Sequence, residues 1–211
     1  MTTTHALMCI DMSGSMGHLA DDVRGGFNTY LHDLARDGGD YRLTVTLFDT
    51  EFISLAVDQT LADTPRLDHT NYRPRGGTAL NDAIGKTIND FEAAHGHLGD
   101  DEKVLMVIQT DGQENSSREF RIFDVRALIA AKESEGWAFV FLGAGPDAFA
   151  QGASYGLGAS TIATTQTGAG TRSTYSALST ASGLYSRGAS RGATVASVAG
   201  AEGVADPNVG K

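Results

Sequence analysis

A three-layer, doubly wound α/β domain of Rossmann-like type is the fold that the sequence predicts. A mostly parallel central sheet, one antiparallel edge strand and helices on both faces are expected. Three observations carry this expectation. Residues 6–10, 104–108 and 137–142 are uninterrupted apolar runs with polar flanks, as strands covered on both faces require. Segments of helical period stand between those runs, and buried strands alternating with helices favour parallel pairing. Residues 42–48 instead alternate with period two and are followed at hairpin distance by residues 52–57.

The elements follow in chain order. The first strand, residues 6–10, ends at Asp11. Leu19, Val23, Phe27, Tyr30, Leu31 and Leu34 share one face of a helix, with Asp21 and Asp22 near its positive N-terminus. The hairpin comes next, then an irregular stretch through Pro65 and Pro74. Leu80, Ala83, Ile84, Ile88 and Phe91 mark a helix over residues 78–91. The second buried strand leads to Asp111-Gly112. Ile122, Val125, Leu128 and Ile129 then mark a helix that stops near Gly136. After the third buried strand come a short strand at 160–164 and a helix over about 172–185, carried by Tyr175, Leu178 and Tyr185.

Composition narrows the classes of function. The chain has 211 residues, the length of one domain, and an apolar share of 41%, enough for a core. With 16 basic and 26 acidic side chains the net charge is −10, which disfavours a nucleic-acid phosphate backbone as partner. A single cysteine, Cys9, excludes an intrachain disulfide framework and reads as a core residue of the first strand. No apolar run approaches the ~20 residues of a membrane span, and residues 6–10 are too few for a signal-peptide core. A cytoplasmic location without membrane contact is therefore expected.

Charge is uneven along the chain. Residues 1–149 carry 12 basic and 24 acidic side chains, whereas residues 150–211 carry 4 and 2 and are about two-thirds Gly, Ala, Ser or Thr. Residues 1–165 are expected to form the domain and 166–187 a helical extension packed on it. Residues 188–211, with few large side chains to bury, are expected to be a flexible tail.

Candidate chemistry sits at the carboxyl ends of the buried strands, where open α/β sheets bind ligands. Asp11-Met12-Ser13-Gly14-Ser15 follows the first strand and gathers one carboxylate and two hydroxyls around a glycine turn. Thr78 follows Gly76-Gly77 where a helix begins, and the second buried strand delivers Asp111. Hydroxyl and carboxylate oxygens are the hard donors that Mg2+ and Mn2+ prefer.

Asp11-x-Ser13-x-Ser15, Thr78 within Gly-Gly-Thr-Ala-Leu, and Asp111-Gly112 after a hydrophobic strand resemble the von Willebrand factor A domain and its metal-ion-dependent adhesion site, over about residues 4–165. The resemblance implies that Ser13, Ser15 and Thr78 give hydroxyl oxygens to Mg2+ or Mn2+, and that Asp11 and Asp111 hold the ion mainly through waters. It implies a binding module rather than an enzyme, with a protein partner whose Asp or Glu carboxylate completes the metal's coordination. Lack of a secretion signal places the chain nearer the intracellular bacterial or phage members. Two alternatives stand beside this reading: a metal-assisted hydrolase, and a structural or assembly component with a vestigial metal site.

Plainer roles are open to each neighbouring residue. Asp11, Ser13 and Ser15 could cap a helix. Arg73 and Arg75 could guide an acidic ligand or merely solvate a loop, and Glu114, Asn115, Ser116, Ser117 and Arg118 could line the rim or form a polar turn. Asp82 reads as a surface residue or one behind the ligands. His95-x-His97 with Asp100 and Asp101 reads as a solvated helix end, because its spacing fits no zinc helix motif. His18 is the one histidine near Ser13 and Ser15, and Lys86 the one nearby lysine; neither forms a recognised catalytic motif. Gly143-Ala-Gly145 is too short for a dinucleotide fingerprint.

Overall fold

The computed structural model describes residues 2–144, 147–164, 167–199 and 204–205. Strand β1 (Thr3–Asp11) leads through a 3₁₀ turn (Gly14–Leu19) into α1 (Ala20–Asp37), which stops where Gly38 takes the left-handed conformation that lacks a steric penalty only for glycine. The hairpin β2 (Asp40–Phe48) and β3 (Phe52–Thr60) follows, then α2 (Leu80–His95), β4 (Glu102–Thr110) and α3 (Ile122–Ser134). The chain continues through β5 (Ala138–Ala144), α4 (Ala148–Ser154), β6 (Thr161–Thr164), α5 (Gly168–Ser186), α6 (Arg191–Ala199) and β7 (Val204–Ala205).

The strand order is β3-β2-β1-β4-β5-β6-β7. β1 pairs in parallel with both β2 and β4, and β5 and β6 extend the parallel set. β3 is the antiparallel edge that the period-two pattern predicts, and the two-residue β7 adds an antiparallel step at the other edge. From β1 the chain first builds outward through β2 and β3, then returns to the far side of β1 as β4. The order therefore reverses between β1 and β4, which makes their carboxyl ends the switch point at which open α/β sheets bind ligands.

Alternation along the strands splits the core in two. Ala6, Met8 and Ile10 face α1, α5 and α6 with Val23, Phe27, Tyr30, Tyr175, Leu178 and Val198. Leu7 and Cys9 face the other way, onto α2 and α3 with Ile84, Ile88, Val125 and Ile129. Cys9 is fully buried, and burial pushes its thiol pKa far up, so it is an inert core group.

Two parts of the chain differ from the sequence reading. The segment expected to be a flexible tail forms α6 over Arg191–Ala199, because Thr194 and Val198 recur at helical spacing and bury against the first core. Residues 200–203 and 206–211 of that segment, and Gly145, lie outside the described residues. The helix α4, in a segment with no clear apolar period, went unread. No helix among the described residues is long and apolar enough to cross a membrane.

Helix α5 packs directly on α1, with the Tyr30 and Ser182 hydroxyls 3.0 Å apart and Arg187 paired with Asp37 at 2.6 Å. Gly26 is what lets it approach: a Cβ there would stand 2.4 Å from Cδ2 of Tyr175, whose hydroxyl is held by Gln109. Gly25, one residue earlier, has open space around it. Helix propensity favours alanine over glycine by ~1 kcal/mol at either position, whereas overpacking costs ~1–3 kcal/mol. Urea denaturation should therefore show Gly25→Ala slightly more stable than wild type and Gly26→Ala less stable. Equal stabilisation of both would mean that α5 does not rest on α1.

Candidate metal centre

β1 delivers Asp11 to this switch point and buries it completely. Its carboxylate accepts from the Ser13 backbone N–H on one oxygen (2.6 Å) and from the Thr110 hydroxyl, at the end of β4, on the other (2.6 Å). Tyr72, fully buried in the irregular stretch, donates to the Asp11 carbonyl at 2.7 Å. The loop after β1 is tied to its neighbours by Met12 N–H on Phe48, Arg75 N–H on Met12, and Gly14 N–H on Gly76. Those bonds fix where Ser13 and Ser15 point.

Thr78 is set by the loop after β4. Asn115 Oδ1 accepts the Thr78 N–H at 2.9 Å, and the Thr78 carbonyl accepts the N–H groups of Asn115 and Ser116. Gly77 permits that approach, since a Cβ there would stand 2.4 Å from Ser116 Oγ. The Asp111–Gly112 turn is pinned from outside by Gln151 on α4, whose amide donates to the Gly112 carbonyl at 2.8 Å.

These restraints bring the five residues singled out in the sequence to one place. Ser13 Oγ and Ser15 Oγ are 3.1 Å apart, and Ser15 Oγ donates to Asp111 Oδ1 at 2.5 Å. A Cβ built on Gly112 would stand 2.9 Å from Thr78 Oγ1, 3.5 Å from Ser15 Oγ and 3.8 Å from Asp11 Oδ2. The absent side chain thus leaves an oxygen-lined cradle. Adjacent ligands on an octahedral ion with Mg–O bonds of about 2.1 Å lie about 3.0 Å apart. The serine pair matches that edge, and the donor set is oxygen throughout, so the residues fit a hard divalent cation.

The electrostatics agree with the geometry. Burial is the main effect on Asp11 and pushes its pKa up to about 6, aided by the Asp111 charge and opposed by hydrogen bonds from Thr110 and Ser13. Among the described residues no ion pair reaches Asp11 or Asp111. Arg75 is committed to Asp49 (2.7 Å) and Glu51, and Arg73 donates to the His69 carbonyl, so neither arginine points at the carboxylates.

Several plainer roles are also decided. Glu114 accepts from Asn81, Ser116 and Ser117 and braces the loop against α2 rather than lining a rim. Asp82 is buried rather than on the surface, and its carboxylate takes the backbone N–H groups of Arg118, Glu119 and Phe120. Burial opposes its ionisation, but those three bonds outweigh it and hold the carboxyl below the usual range. The His18 ring rests on the Ser15 carbonyl at 2.8 Å, and Lys86 pairs with Glu119. Asn115, a rim or polar-turn candidate in the sequence, instead holds the Thr78 backbone, and Thr110, Tyr72 and Gln151 join the site without having been sequence candidates. Thr110 adjoins Asp111 and could have been noticed; the others reach it from distant loops and helices.

No family model matches the sequence, and no curated protein does. Solved structures do resemble the fold. The minor pilin PilB from Streptococcus sanguinis superposes with a TM-score of 0.63 at 12% identity, over 85% of this chain and 61% of that one. The vWF domain of the type V pili tip protein Mfa5 from Porphyromonas gingivalis gives 0.58 at 11% identity, over 85% of this chain and 94% of that domain. The chain has a von Willebrand factor A-like fold. Proximal thread matrix protein 1 from the mussel byssus, solved with a zinc-occupied MIDAS motif, gives 0.60 at 15% identity over 88% of this chain and 47% of that protein. The chain thus spans about three-fifths of the pilin and about half of the byssus protein.

Two outcomes follow for this end of the vWA-like fold. Gly112→Ala should leave the protein folded but abolish any stabilisation by an added divalent cation, because the methyl group occupies the cradle; unchanged cation stabilisation in thermal unfolding would contradict the placement. The raised Asp11 pKa also has a sign. Its proton is held more tightly in the folded than in the unfolded chain, so its contribution to apo stability is full below about pH 4 and is lost as pH rises through about 6. Metal binding needs the carboxylate, so any stabilisation by a divalent cation should be small near about pH 5 and grow toward about pH 7.5. Thermal unfolding at both pH values checks this.

Proposed function

We propose that the chain is a divalent-metal-dependent protein-binding module. In this reading Asp11, Ser13, Ser15, Thr78 and Asp111 form a complete metal-ion-dependent adhesion site for Mg2+ or Mn2+. An Asp or Glu side chain of a protein partner completes the coordination. The observation that carries the reading is the Gly112 cradle, bounded at once by Thr78, Ser15 and Asp11, with Ser13 and Asp111 bonded to Ser15.

A hard divalent ion bound there supplies Lewis acidity and a coordination position open to a carboxylate. The chain's own residues do the rest. Ser13 and Thr78 are buried and fixed by backbone bonds, so their hydroxyls are positioned before any ligand arrives. Asp11 supplies a charge locked in orientation by Ser13 and Thr110, and Asp111 adds a second charge through Ser15. Ser15 is exposed, which leaves the approach open to a partner. A chain of net charge −10 repels an acidic partner by itself, so capture depends steeply on the cation.

The zinc-occupied motif of the byssus protein supports a metal at this end of the fold. The all-oxygen donor set is the reason for proposing Mg2+ or Mn2+. Binding is favoured over turnover because His18 and Lys86, the residues that could serve as bases, are engaged with the Ser15 carbonyl and with Glu119.

Mg2+ titrated into EDTA-stripped protein should add ~2.7 kcal/mol at 100 times its Kd, a rise in Tm of roughly 5–10 °C. Asp11→Ala should not respond. If wild type and Asp11→Ala respond alike, the site does not hold the metal. Affinity capture from the native cell in Mg2+ and in EDTA then tests the partner: the captured protein should be lost in EDTA, and its retention would favour the assembly component with a vestigial site.

A further inference from the structure

A second polar cluster lies at the opposite end of the sheet. His5 on β1, Asp58 on β3, His95 at the end of α2 and Glu102 at the start of β4 meet there, roughly 20 Å along β1 from Asp11. His5 is fully buried. Its Nδ1 lies 2.9 Å from Asp58 Oδ1, and its Nε2 lies 3.2 Å from Glu102 Oε1. His95 repeats the arrangement, with Nδ1 3.4 Å from Asp58 Oδ2 and Nε2 3.2 Å from the same Glu102 Oε1. The sequence reading of His95 as a solvated helix end is thus overturned: the ring stacks on Phe91 and reaches Glu102.

Proton counting makes the cluster unusual. A neutral imidazole carries one proton on two nitrogens, and ionised carboxylates only accept. Both nitrogens of both rings face carboxylates, so with neutral rings two of the four contacts set lone pair against lone pair. Cationic charge must enter between the rings and a carboxylate. Protonating both rings would place two imidazolium ions with centroids 4.4 Å apart, near the Arg42 guanidinium that already neutralises Asp58. One divalent ion supplies the same charge at a single point.

We propose that His5 Nε2, His95 Nε2 and Glu102 Oε1 form a site for a transition-metal ion of the Zn2+ class, with Asp58 as the carboxylate that orients both rings. One ligand atom from each of the three residues lies within 4.8 Å of the other two. Two His and one Glu on zinc require adjacent donors about 3.4 Å apart, and both nitrogen-to-Glu102 distances are 3.2 Å. Imidazole donors select such ions, in contrast to the oxygen-only set at Asp11. Asp58 accepts from both Nδ1 atoms, which turns both Nε2 lone pairs toward Glu102.

The fold holds this arrangement in place. β2 and β3 shift register around Val45, and the bulge leaves Asp58 at φ 45°, the one positive value at a non-glycine residue among those described. Bulges re-aim side chains, and this one directs Asp58 under β1. The second oxygen of Glu102 accepts the Gly99 N–H at 2.6 Å, which leaves Oε1 for the rings. That bond, foremost, with help from both histidines against the effect of burial, holds the Glu102 pKa down at about 2. Glu102 and His95 are only half-buried, so an ion has a way in.

The test is equilibrium dialysis of the full chain against Zn2+, with bound metal measured by elemental analysis and folding followed by circular dichroism. Asp111→Ala removes the upper site from the count, so the two sites fail separately. That variant should still bind one Zn2+, which excess Mg2+ does not displace. Adding Asp58→Asn should weaken this site by about 10–100-fold, and Glu102→Gln or His95→Asn, which remove a ligand, should abolish it. Co2+ in place of Zn2+ should give the visible absorption of a four-coordinate ion only while His95 is intact. Asp111→Ala that binds no Zn2+, or binding that Glu102→Gln and His95→Asn leave unchanged in folded protein, would overturn the proposal and leave a cluster charged by protons alone.

Discussion

A buried carboxylate at the end of the central strand is the constraint around which this structure is arranged. Asp11 is wholly removed from water, and among the described residues no lysine or arginine pairs with it. An uncompensated buried anion is costly, and the pKa near 6 is the measure of that cost. The protein meets part of it with dipoles, one N–H from Ser13 and one hydroxyl from Thr110. The remaining share is what a cation would relieve. A cradle lined by the Ser15 and Thr78 hydroxyls lies within 3.8 Å of the same carboxylate.

Much of this was legible in the sequence because parallel α/β sheets write themselves plainly. Strands buried on both faces appear as unbroken apolar runs; β1 and β4 contain two of the three runs and β5 takes up the third from Ala138. The positions after those runs are fixed by topology, so Asp11 and Asp111 could be assigned to one end of the sheet without coordinates. Thr78 was legible only in combination with them. Illegible were Tyr72 and Gln151, which hold the site from afar, and the bond by which Asn115 sets Thr78, because nothing local in the sequence marks a hydrogen bond across tens of residues. Small-residue composition also misled: the Gly/Ala/Ser-rich segment from 188 still makes α6, since Thr194 and Val198 suffice to bury one stripe of a short helix.

The His5 cluster shows the same limit more sharply. Its four side chains come from four elements, and His95 was grouped in the sequence with His97, Asp100 and Asp101 because proximity along the chain was the available guide. In space its partners are His5, Asp58 and Glu102. The sheet thus carries two polar clusters of opposite chemistry at its two ends, oxygen donors at the carboxyl ends of β1 and β4 and nitrogen-bearing donors at their amino ends. Between them β1 is an apolar strand with both faces covered, so each cluster is separately bounded.

The most direct measurement is a crystal of the protein grown with Mn2+ and read by anomalous scattering. A peak is expected beside Gly112, bounded by the Ser13, Ser15 and Thr78 hydroxyls, with Asp11 and Asp111 behind them. A well-ordered Asp11 loop with no peak there, at a Mn2+ concentration that stabilises the protein in solution, would contradict this placement.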